Sequence, residues 1–485
     1  MPTEIGLLFL VVFSIGWLFN RDWGYCLLIA CLPFQASTVL IFGDQQELGL
    51  QPAYVALMIA ALGLPLGSGA HSRFSLRAVR WAFQPLLFLA VWVFFVTAVA
   101  PLVFPGTIEV MPMRSVGSLV PLARSPSNLR HLAYLAVSAT GSFALAARLA
   151  QDPKRMGPMI MKAWIAAAFV AVFFMGWHAL SLYAGWYFPR EWLHNNPGAA
   201  QLQFGYLRPE LQLNLSFRRL SGSFTEPSLA ALFLSTMTAF SAGYFVLRRA
   251  WVGILWFVLN IALLLATGAT TGYFSGAVIG GFLLAWTSSS AFRKGRPGRL
   301  LMLTVIMAVA IIGASILSDS VRYEVETIAN LQVFNKIEDE RSSPAGRYRV
   351  ESNAWAVLIS SYGFGVGLGS NMSYTLVGYV ASNLGVPGIL LFGWLLRRTW
   401  GMSPSLLDYN SAGHPSIMLL KLGMLAALSA GLVGVPLLQQ PVWWALLGSY
   451  VGLAAGTIGV GRVLERSAPD HWATAGRGEF FNKCA

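Results

Sequence analysis

The dominant pattern along the chain is a succession of long apolar runs separated by short polar segments. Each run is continuous and has the length, about 17 to 25 residues, that an α-helix needs to cross a bilayer. Membrane β-strands would instead alternate apolar and polar positions over about ten residues. The pattern predicts an all-α polytopic membrane protein with roughly thirteen transmembrane helices, within a range of about twelve to fourteen. The predicted spans are 4–20, 23–43, 51–68, 81–104, 128–149, 160–185, 226–247, 251–267, 270–288, 299–317, 374–396, 415–436 and 441–461.

The composition supports the same class. The chain is 56% hydrophobic and 11% charged, which is far from the balance of a soluble globular protein. Of the three cysteines, Cys26 and Cys31 lie in one apolar run and Cys484 lies near the end of the sequence. This spacing indicates neither a disulfide framework nor a metal site, and we expect no metal and no cofactor.

Basic residues are concentrated after every second predicted span. Such residues favour the cytoplasmic side of a membrane protein, which accounts for the net charge of +13 without a nucleic-acid partner. The alternation predicts an N-terminus outside, a C-terminus inside and an odd number of spans. The residues assigned to the cytoplasmic side are Arg21, Arg73, Arg77, Arg80, Lys154, Arg155, Lys162, Arg248, Arg249, Arg293, Lys294, Arg296, Arg299, Arg397, Arg398, Arg462 and Arg466.

Three segments on the outer side, 105–127, 186–225 and 318–373, are longer than helix connections require. Long loops in compact proteins are usually functional or disordered, and the last two mix charged with aromatic residues, so we expect them to fold. The stretch SVRYEVETIANLQVF fits an amphipathic helix on the membrane surface and equally a solvated surface helix. The predicted organisation is helices 1–6 in 1–185, a loop in 186–225, helices 7–10 in 226–317, a large loop in 318–373, helices 11–13 in 374–461 and a cytoplasmic tail in 462–485.

The stretch RRLSGSFTEPSLAAL, residues 218–232, places two arginines beside a predicted helix start. Pro227 suits the first helical position, and the N–H groups of the first turn would then face the outer aqueous layer. Together with Arg218 and Arg219, this helix end is suited to binding an anion such as phosphate. An alternative is that Glu226 caps the helix while an arginine reaches lipid headgroups.

A second arginine site follows in SSPAGRYRVESNAW, residues 342–355, where Arg347 and Arg349 precede a helical run. Two separate arginine sites on one face suit a ligand with two phosphates. The next stretch, SYGFGVGLGSN, alternates Gly363, Gly365, Gly367 and Gly369 before Ser370, which allows a close backbone approach or a bent entry into the membrane. It contains neither a dinucleotide fingerprint nor a Walker lysine.

The order of these motifs resembles the O-antigen ligase and Wzy-type polysaccharide polymerase family. The resemblance consists of R-x-S-G-x-F-x-E-P at the outer edge of a mid-chain span, S-x-x-G-R at the end of a long outer loop, G-x-G-x-G-S, and SNLGVPG in a late span. It covers about residues 210–396 in detail and the rest of the chain only by helix count. The order is more specific than any single motif.

The resemblance implies a GT-C-like glycosyltransferase of the bacterial inner membrane, with its active site facing the periplasm. Such enzymes join glycans carried on undecaprenyl diphosphate and use no nucleotide sugar, metal or other cofactor. Arg219 and Arg347 would hold the lipid diphosphate as catalytic residues. Residues that would help to bind the substrate are Arg218, Arg349, Gly365, Gly367, Gly369 and Ser370. The implied partners are the lipid-linked oligosaccharide, the growing polysaccharide chain and membrane lipids, with a chain-length regulator and a flippase as further candidates.

Two departures from the family pattern refine this expectation. Ligases of the family have a His-Asn pair eleven residues before the glycine of the late motif, where this chain has Tyr374 and Thr375. The missing histidine favours a polymerase of repeat units over a ligase. A tyrosine, with a reference pKa near 10, is a poor base at neutral pH, but it can orient an acceptor hydroxyl. The second departure is in 266–277, where many relatives have a Ser-Arg pair and this chain has none. If the reaction needs a base, the candidate catalytic residue is Glu226, the outer carboxylate nearest in sequence to a proposed phosphate-binding arginine, with helix capping as its alternative role.

Other functions remain as alternatives. An O-antigen ligase or a protein O-oligosaccharyltransferase of the same family would share the arginines and differ in the acceptor. A secondary transporter would also have about twelve spans, with interrupted helices near the middle of the membrane. A flippase for lipid-linked oligosaccharides would need a polar central cavity. Ionisable residues are almost absent from the predicted spans, which disfavours a transporter with a proton or sodium relay.

Overall fold

The structure is a computed structural model of the chain, and it describes residues 2–42, 48–62, 70–112, 118–196, 219–248, 251–294, 343–402 and 415–467. These residues are mostly helical. The helices are α1 (Glu4–Phe19), α2 (Arg21–Ala30), α3 (Pro52–Leu62), α4 (Ala70–Val103), α5 (Pro126–Gln151), α6 (Pro153–Ala184), α7 (Arg190–Leu193), α8 (Pro227–Arg248), α9 (Trp251–Ala266), α10 (Thr270–Lys294), α11 (Ser343–Ser360), α12 (Leu376–Trp400), α13 (Pro415–Val433) and α14 (Pro441–Ser467), with a 3-10 turn at Leu437–Gln439.

Two short antiparallel ribbons complete the described structure. Strand β1 (Leu40–Phe42) pairs with β2 (Leu48–Leu50), and β3 (Glu109–Val110) pairs with β4 (Val120–Pro121). In the first ribbon Leu40 lies opposite Leu50, and in the second Glu109 lies opposite Pro121. Each ribbon connects helix ends rather than crossing the helical layer.

Six helices in the described part of the chain are long and apolar enough to cross a membrane. They lie in Ser75–Val103, Pro126–Gln151, Pro153–Ala184, Pro227–Phe245, Leu376–Trp400 and Pro415–Val433. Shorter apolar helices are Glu4–Phe19, Pro52–Leu62 and Trp251–Ala266. The chain is therefore a helical membrane protein, as its apolar pattern predicts. The total of thirteen spans stays a prediction, and the predicted span 299–317 lies outside the described residues.

The second predicted span, 23–43, is wrong. Helix α2 ends at Ala30, a turn follows to Pro33, and the chain from Phe34 to Phe42 is non-helical although Val39 and its neighbours are buried. Pro33 has no N–H to continue the helix. The non-helical backbone is satisfied by other segments: Ala36 N–H donates to the Ser223 carbonyl at 3.0 Å, and Val39 N–H donates to the Leu50 carbonyl at 2.8 Å. An apolar run long enough to span the bilayer thus forms a short helix followed by a buried, non-helical segment.

The hydrophobic core is centred on α14, which packs against α4, α5 and α13. Trp443, Trp444 and Tyr450 on this helix are fully buried, although α14 begins as late as Pro441. A second group consists of α8, α9, α10 and α13, which pack against one another. The last two long helices therefore connect the early and middle parts of the chain.

Side-chain contacts join predicted cytoplasmic segments in two pairs. Asp22 accepts from Arg148 at 2.7 Å and lies 3.2 Å from a nitrogen of Arg155, so the chain around Arg21 meets the α5–α6 connection. Arg398 donates to the Trp81 carbonyl at 2.9 Å, which joins the end of α12 to α4 next to Arg80. The relative sidedness predicted from the basic residues is consistent with these contacts.

Candidate active site

The site begins with a break in helix α12. Gly385 has φ 68° and ψ −168°, and Pro387 follows it, so two bonds of the helical ladder are lost at Ser382 and Asn383. Gly385 lies nine residues after the first residue of α12, about 14 Å along the axis of a helix that is long enough to cross a bilayer core about 30 Å thick. Backbone groups exposed within such a helix need partners within the protein.

The alternating glycine segment supplies those partners. Val366 N–H donates to the Ser382 carbonyl at 3.0 Å, and Gly367 N–H donates to the Asn383 carbonyl at 2.9 Å. In return, Val386 N–H donates to the Gly363 carbonyl at 2.8 Å. Each backbone group released by the break is therefore satisfied by the glycine segment.

The glycines are required by these close approaches. Gly363, Gly365, Gly367 and Gly369 have φ of 79°, 84°, 95° and 80°, a left-handed region that other residues rarely adopt. A Cβ on Gly365 would lie 2.6 Å from the Gly385 nitrogen, one on Gly367 would lie 2.8 Å from Thr97 Cα, and one on Gly369 would lie 2.8 Å from the His131 ring. The contacts explain these glycines by packing within the protein, and their role in substrate binding stays a prediction.

Helix α11 and the glycine segment form a hairpin beside α12. Glu351 on α11 contacts the outer end of α12, whereas Gly363 after α11 contacts Val386 near the middle of α12. The chain thus runs beside the first half of α12 along α11 and returns through the glycine segment. Ile359 and Tyr362 near the tip are 75% and 89% exposed. The described part of the predicted outer loop 318–373 therefore ends in a hairpin that packs against α12, and its depth in the membrane stays a prediction.

Buried polar side chains hold the returning arm. The Asn128 amide donates to the Leu368 carbonyl and to Ser370 Oγ, each at 2.8 Å. Asn371 Oδ1 accepts from Met111 N–H at 2.9 Å, and Asn371 N–H donates to Asn383 Oδ1 at 3.1 Å. Ser370, a predicted substrate-binding residue, is buried within this network.

Glu351 closes the N-terminus of α12. Its carboxylate accepts from Tyr374 N–H at 2.6 Å, from Thr375 N–H at 2.8 Å and from the hydroxyl groups of Ser373 and Thr375, both at 2.8 Å. A carboxylate at this position satisfies amides that have no helical partner and complements the helix dipole. A Cβ on Gly378 would collide with this carboxylate. Glu351 therefore fixes the backbone of Tyr374.

Tyr374 itself is half-buried beside a small hydrophobic cluster of Met111, Val350 and Met372. It lies at the outer end of α12, where the family pattern has a histidine. A role of Tyr374 in orienting an acceptor stays a prediction. Arg349 is exposed on the neighbouring helix α11.

The segment from Arg219 to Glu226 lies between the end of α9 and the start of α8. Arg219 is half-buried, and its Nε donates to the Thr267 carbonyl at 3.1 Å, while Leu220 N–H donates to the Ala266 carbonyl at 3.1 Å. The guanidinium group is thereby held beside the turn that precedes helix α10. The predicted helix start is confirmed, since Pro227 is the first residue of α8.

Glu226 occupies the capping position of α8. Its carbonyl accepts from Leu229 and Ala230 N–H groups, both at 3.1 Å, and its carboxylate accepts from Ser228 Oγ at 3.0 Å. These contacts fit the capping alternative. They also leave Glu226 half-buried and close in sequence to Arg219, so a role as a base stays a prediction.

Two histidines that the sequence did not single out hold the same segment. His178 Nδ1 lies 3.1 Å from Gly222 nitrogen, and His194 Nε2 lies 2.7 Å from Gly222 oxygen. Burial lowers the pKa of His194, against a smaller raising effect of its bond to Gly222, and nearby Arg190 lowers it further. The sequence gives little indication that these two histidines matter, because neither belongs to a recognisable motif.

The structure brings the predicted residues together in two groups. Arg219 and Glu226 lie at the start of α8, whereas Tyr374, Ser370 and the glycines lie around α12. Arg218 lies outside the described residues, and Arg347 is described only as part of the backbone of α11. Convergence of Arg219 and Arg347 on one ligand therefore stays a prediction. In the described part of the chain, no group of three or more His, Cys, Asp and Glu side chains could hold a metal ion.

No protein family model matches the chain, and no curated protein matches it at a significant level. Membership of the O-antigen ligase and Wzy-type polymerase family is therefore proposed from the motifs and their positions.

Proposed function

We propose that the protein is a polysaccharide polymerase that joins oligosaccharide repeat units carried on undecaprenyl diphosphate at the periplasmic face of a bacterial inner membrane. The main support is the position of Arg219, half-buried and held by Thr267 next to two helix starts, those of α8 and α10. Guanidinium groups bind phosphate oxygens through paired hydrogen bonds and stay charged at any relevant pH.

In the proposed reaction, a hydroxyl oxygen of the acceptor glycan attacks the anomeric carbon of the donor glycan. The bond between that carbon and the diphosphate oxygen breaks, and its electron pair leaves with the lipid diphosphate. Arg219, with Arg347 as its predicted partner, stabilises the negative charge that grows on the leaving group. The acceptor hydroxyl loses its proton, with Glu226 as the candidate base and Tyr374 as the residue that orients the acceptor.

The structure around Tyr374 favours a polymerase over a ligase. The ligase histidine is absent, and Tyr374 is fixed through its own N–H and through Thr375 to Glu351. Glu351 is occupied by these bonds and so is better suited to shaping the site than to abstracting a proton. We therefore expect the acceptor to be another repeat unit, rather than a lipid A core.

A secondary transporter is the second candidate, and the broken helix α12 with the hairpin beside it favours it. Transporters use such breaks to bind substrates and ions with unwound backbone groups. Here, however, the Ser382 and Asn383 carbonyls already accept from Val366 and Gly367. Because these carbonyl groups already have hydrogen-bond donors within the protein, the helix break is weaker support for an ion-binding site.

The decisive experiment compares Arg219→Ala with Arg124→Ala, an exposed arginine on the same predicted outer side. In cells that depend on the variant, we expect Arg219→Ala to accumulate single lipid-linked repeats and to lose long polymer, with partial recovery in Arg219→Lys. Arg124→Ala should give the normal chain-length distribution.

Purified protein in lipid nanodiscs separates the two candidate functions. A polymerase lengthens lipid-linked repeats without nucleotide sugar, whereas a transporter leaves their length unchanged. Normal polymer length in Arg219→Ala would remove this residue from the mechanism.

A further inference from the structure

The two histidines hold both backbone polar groups of Gly222, three residues after Arg219. His178 Nδ1 accepts from Ser221 N–H at 3.3 Å and from Gly222 N–H at 3.1 Å, while His194 Nε2 donates to the Gly222 carbonyl at 2.7 Å. Gly222 has φ 57°, and a Cβ there would lie 3.1 Å from the backbone nitrogen of Met175. The segment is therefore seated directly on helix α6.

The two histidines differ in their dependence on protonation. Nδ1 of His178 can accept two N–H groups only while it keeps its lone pair, so the ring must be neutral with its proton on Nε2. Protonation would place a hydrogen on Nδ1 facing two amide donors, and both bonds would be lost. His194 donates through Nε2, and that bond survives protonation.

The surroundings of His178 come from three elements. Phe188 stacks on its ring, with centroids 5.0 Å apart, and meets the His194 ring edge-on at 6.1 Å. The charged or titratable groups that act on His178 are His194 and Arg190. The segment that His178 holds contributes Arg219 and Glu226.

We propose that His178 is a positioning residue for Arg219, which keeps the arginine segment seated on α6 only while its imidazole is neutral. This inference rests on the proposed function of Arg219 in binding a lipid diphosphate. Protonation of His178 releases residues 221–222, and the guanidinium group loses its defined position relative to the diphosphate. A displacement of about 1 Å in a catalytic group can lower a rate about 100-fold.

The test compares His178→Asn, His178→Ala and His194→Gln in nanodiscs. Asparagine places an oxygen acceptor near the position of Nδ1 and does not titrate, whereas alanine removes the acceptor. We expect the wild-type rate of repeat extension to hold between about pH 7.5 and 5.5 and to fall only on further acidification, because burial and the two accepted N–H bonds oppose protonation of His178. His178→Ala should be about 10- to 100-fold slower at pH 7.5. His178→Asn should recover most of that loss and show no fall with acid, while His194→Gln should keep the fall.

Hydrogen–deuterium exchange of the peptide 219–225 gives a readout that needs no substrate. After correction with an unfolded peptide of the same sequence, exchange in the wild type should be unchanged at pH 5.5 and accelerate at about pH 4, whereas exchange in His178→Asn should accelerate at neither. If repeat extension fails in the wild type, the proposed function is wrong while the exchange still tests the role of His178. Equal acid dependence of exchange in the wild type and His178→Asn would overturn the inference.

Discussion

The N–H of Gly367 donates to the carbonyl of Asn383, the carbonyl that Pro387 leaves without its helical donor. This bond shows how the hydrogen bond lost at a break in α12 is replaced by a bond from the glycine segment that precedes the helix. The glycine segment acts as the missing stretch of the hydrogen-bond ladder, and its left-handed backbone allows the approach.

Among the glycines of this segment, Gly365 is the one at which a side chain should be tolerated least. In Gly365→Ala, the Cβ would lie 2.6 Å from Gly385 nitrogen and the residue would stay at a positive φ. We expect a loss of stability of about 2 kcal/mol or more, measured by thermal unfolding in detergent. Gly393→Ala on helix α12 is the matched control, because a Cβ there meets nothing within 4 Å. We expect this substitution to leave the stability unchanged or to raise it. Equal melting temperatures for the two variants would contradict the proposed closure.

Glu351 provides a second prediction, because one carboxylate serves the amides of Tyr374 and Thr375. Glu351→Ala leaves these donors without a partner and should cost about 1 to 3 kcal/mol. Glu351→Gln keeps one acceptor oxygen but adds a donor, so we expect an intermediate loss. Thermal unfolding of both variants measures this order.

The same variants test whether Glu351 matters beyond folding. Since it fixes the backbone of Tyr374, repeat extension should fall in Glu351→Gln even at temperatures well below unfolding. Ser352→Ala on the same helix serves as a comparison for changes at the exposed face of α11, because Ser352 is exposed and has no proposed role in binding. Full activity in folded Glu351→Gln would show that the backbone of Tyr374 does not need this anchor.

Apolar length predicted most long helices because a span needs little more than a continuous apolar run. The predicted 226–247 corresponds to α8, Pro227–Arg248, and 128–149 to α5, Pro126–Gln151. The prediction of a spanning helix was wrong at 23–43, because burial inside the protein favours the same apolar residues as contact with lipid does. Composition alone does not separate these two environments.

The candidate site was predictable only in part. The glycine spacing predicted a close backbone approach, which the structure confirms, but its partner at Gly385 lies far away in the sequence. Glu351, His178 and His194 act through hydrogen bonds to backbone groups, which Glu351 supplements with bonds to two hydroxyl groups, and such contacts leave no spacing pattern in a sequence. The helix start at Pro227 was predictable because proline chemistry is local.

Asp22 should be a main contributor to stability at the predicted cytoplasmic face. Its side chain is 4% exposed and pairs with Arg148, which is 23% exposed, and with Arg155, which is 55% exposed. Asp22→Asn leaves two guanidinium groups without their carboxylate, and we expect a loss of about 3 to 5 kcal/mol, as for other broken buried pairs. Arg148→Ala should cost more than Arg155→Ala, because an exposed pair contributes about 1 kcal/mol or less. Thermal unfolding of the three variants gives the order, and equal losses for the two arginines would contradict it.

The remaining prediction concerns the distance between Arg219 and Arg347. If both guanidinium groups bind one diphosphate, their side chains must approach within the size of that group. We therefore expect Arg219→Cys combined with Arg347→Cys to be joined by a short bifunctional maleimide, in a chain whose native cysteines Cys26, Cys31 and Cys484 are replaced by serine or alanine. The control combines Arg124→Cys with Arg347→Cys, since Arg124 is exposed on the same predicted side without a proposed role. Added lipid diphosphate should protect the first pair and leave the control unchanged, because only the first pair faces the ligand. Cross-linking that is absent from the first pair, or unaffected by the lipid, would separate the two arginines and leave Arg219 to bind its phosphate with the helix starts of α8 and α10 alone.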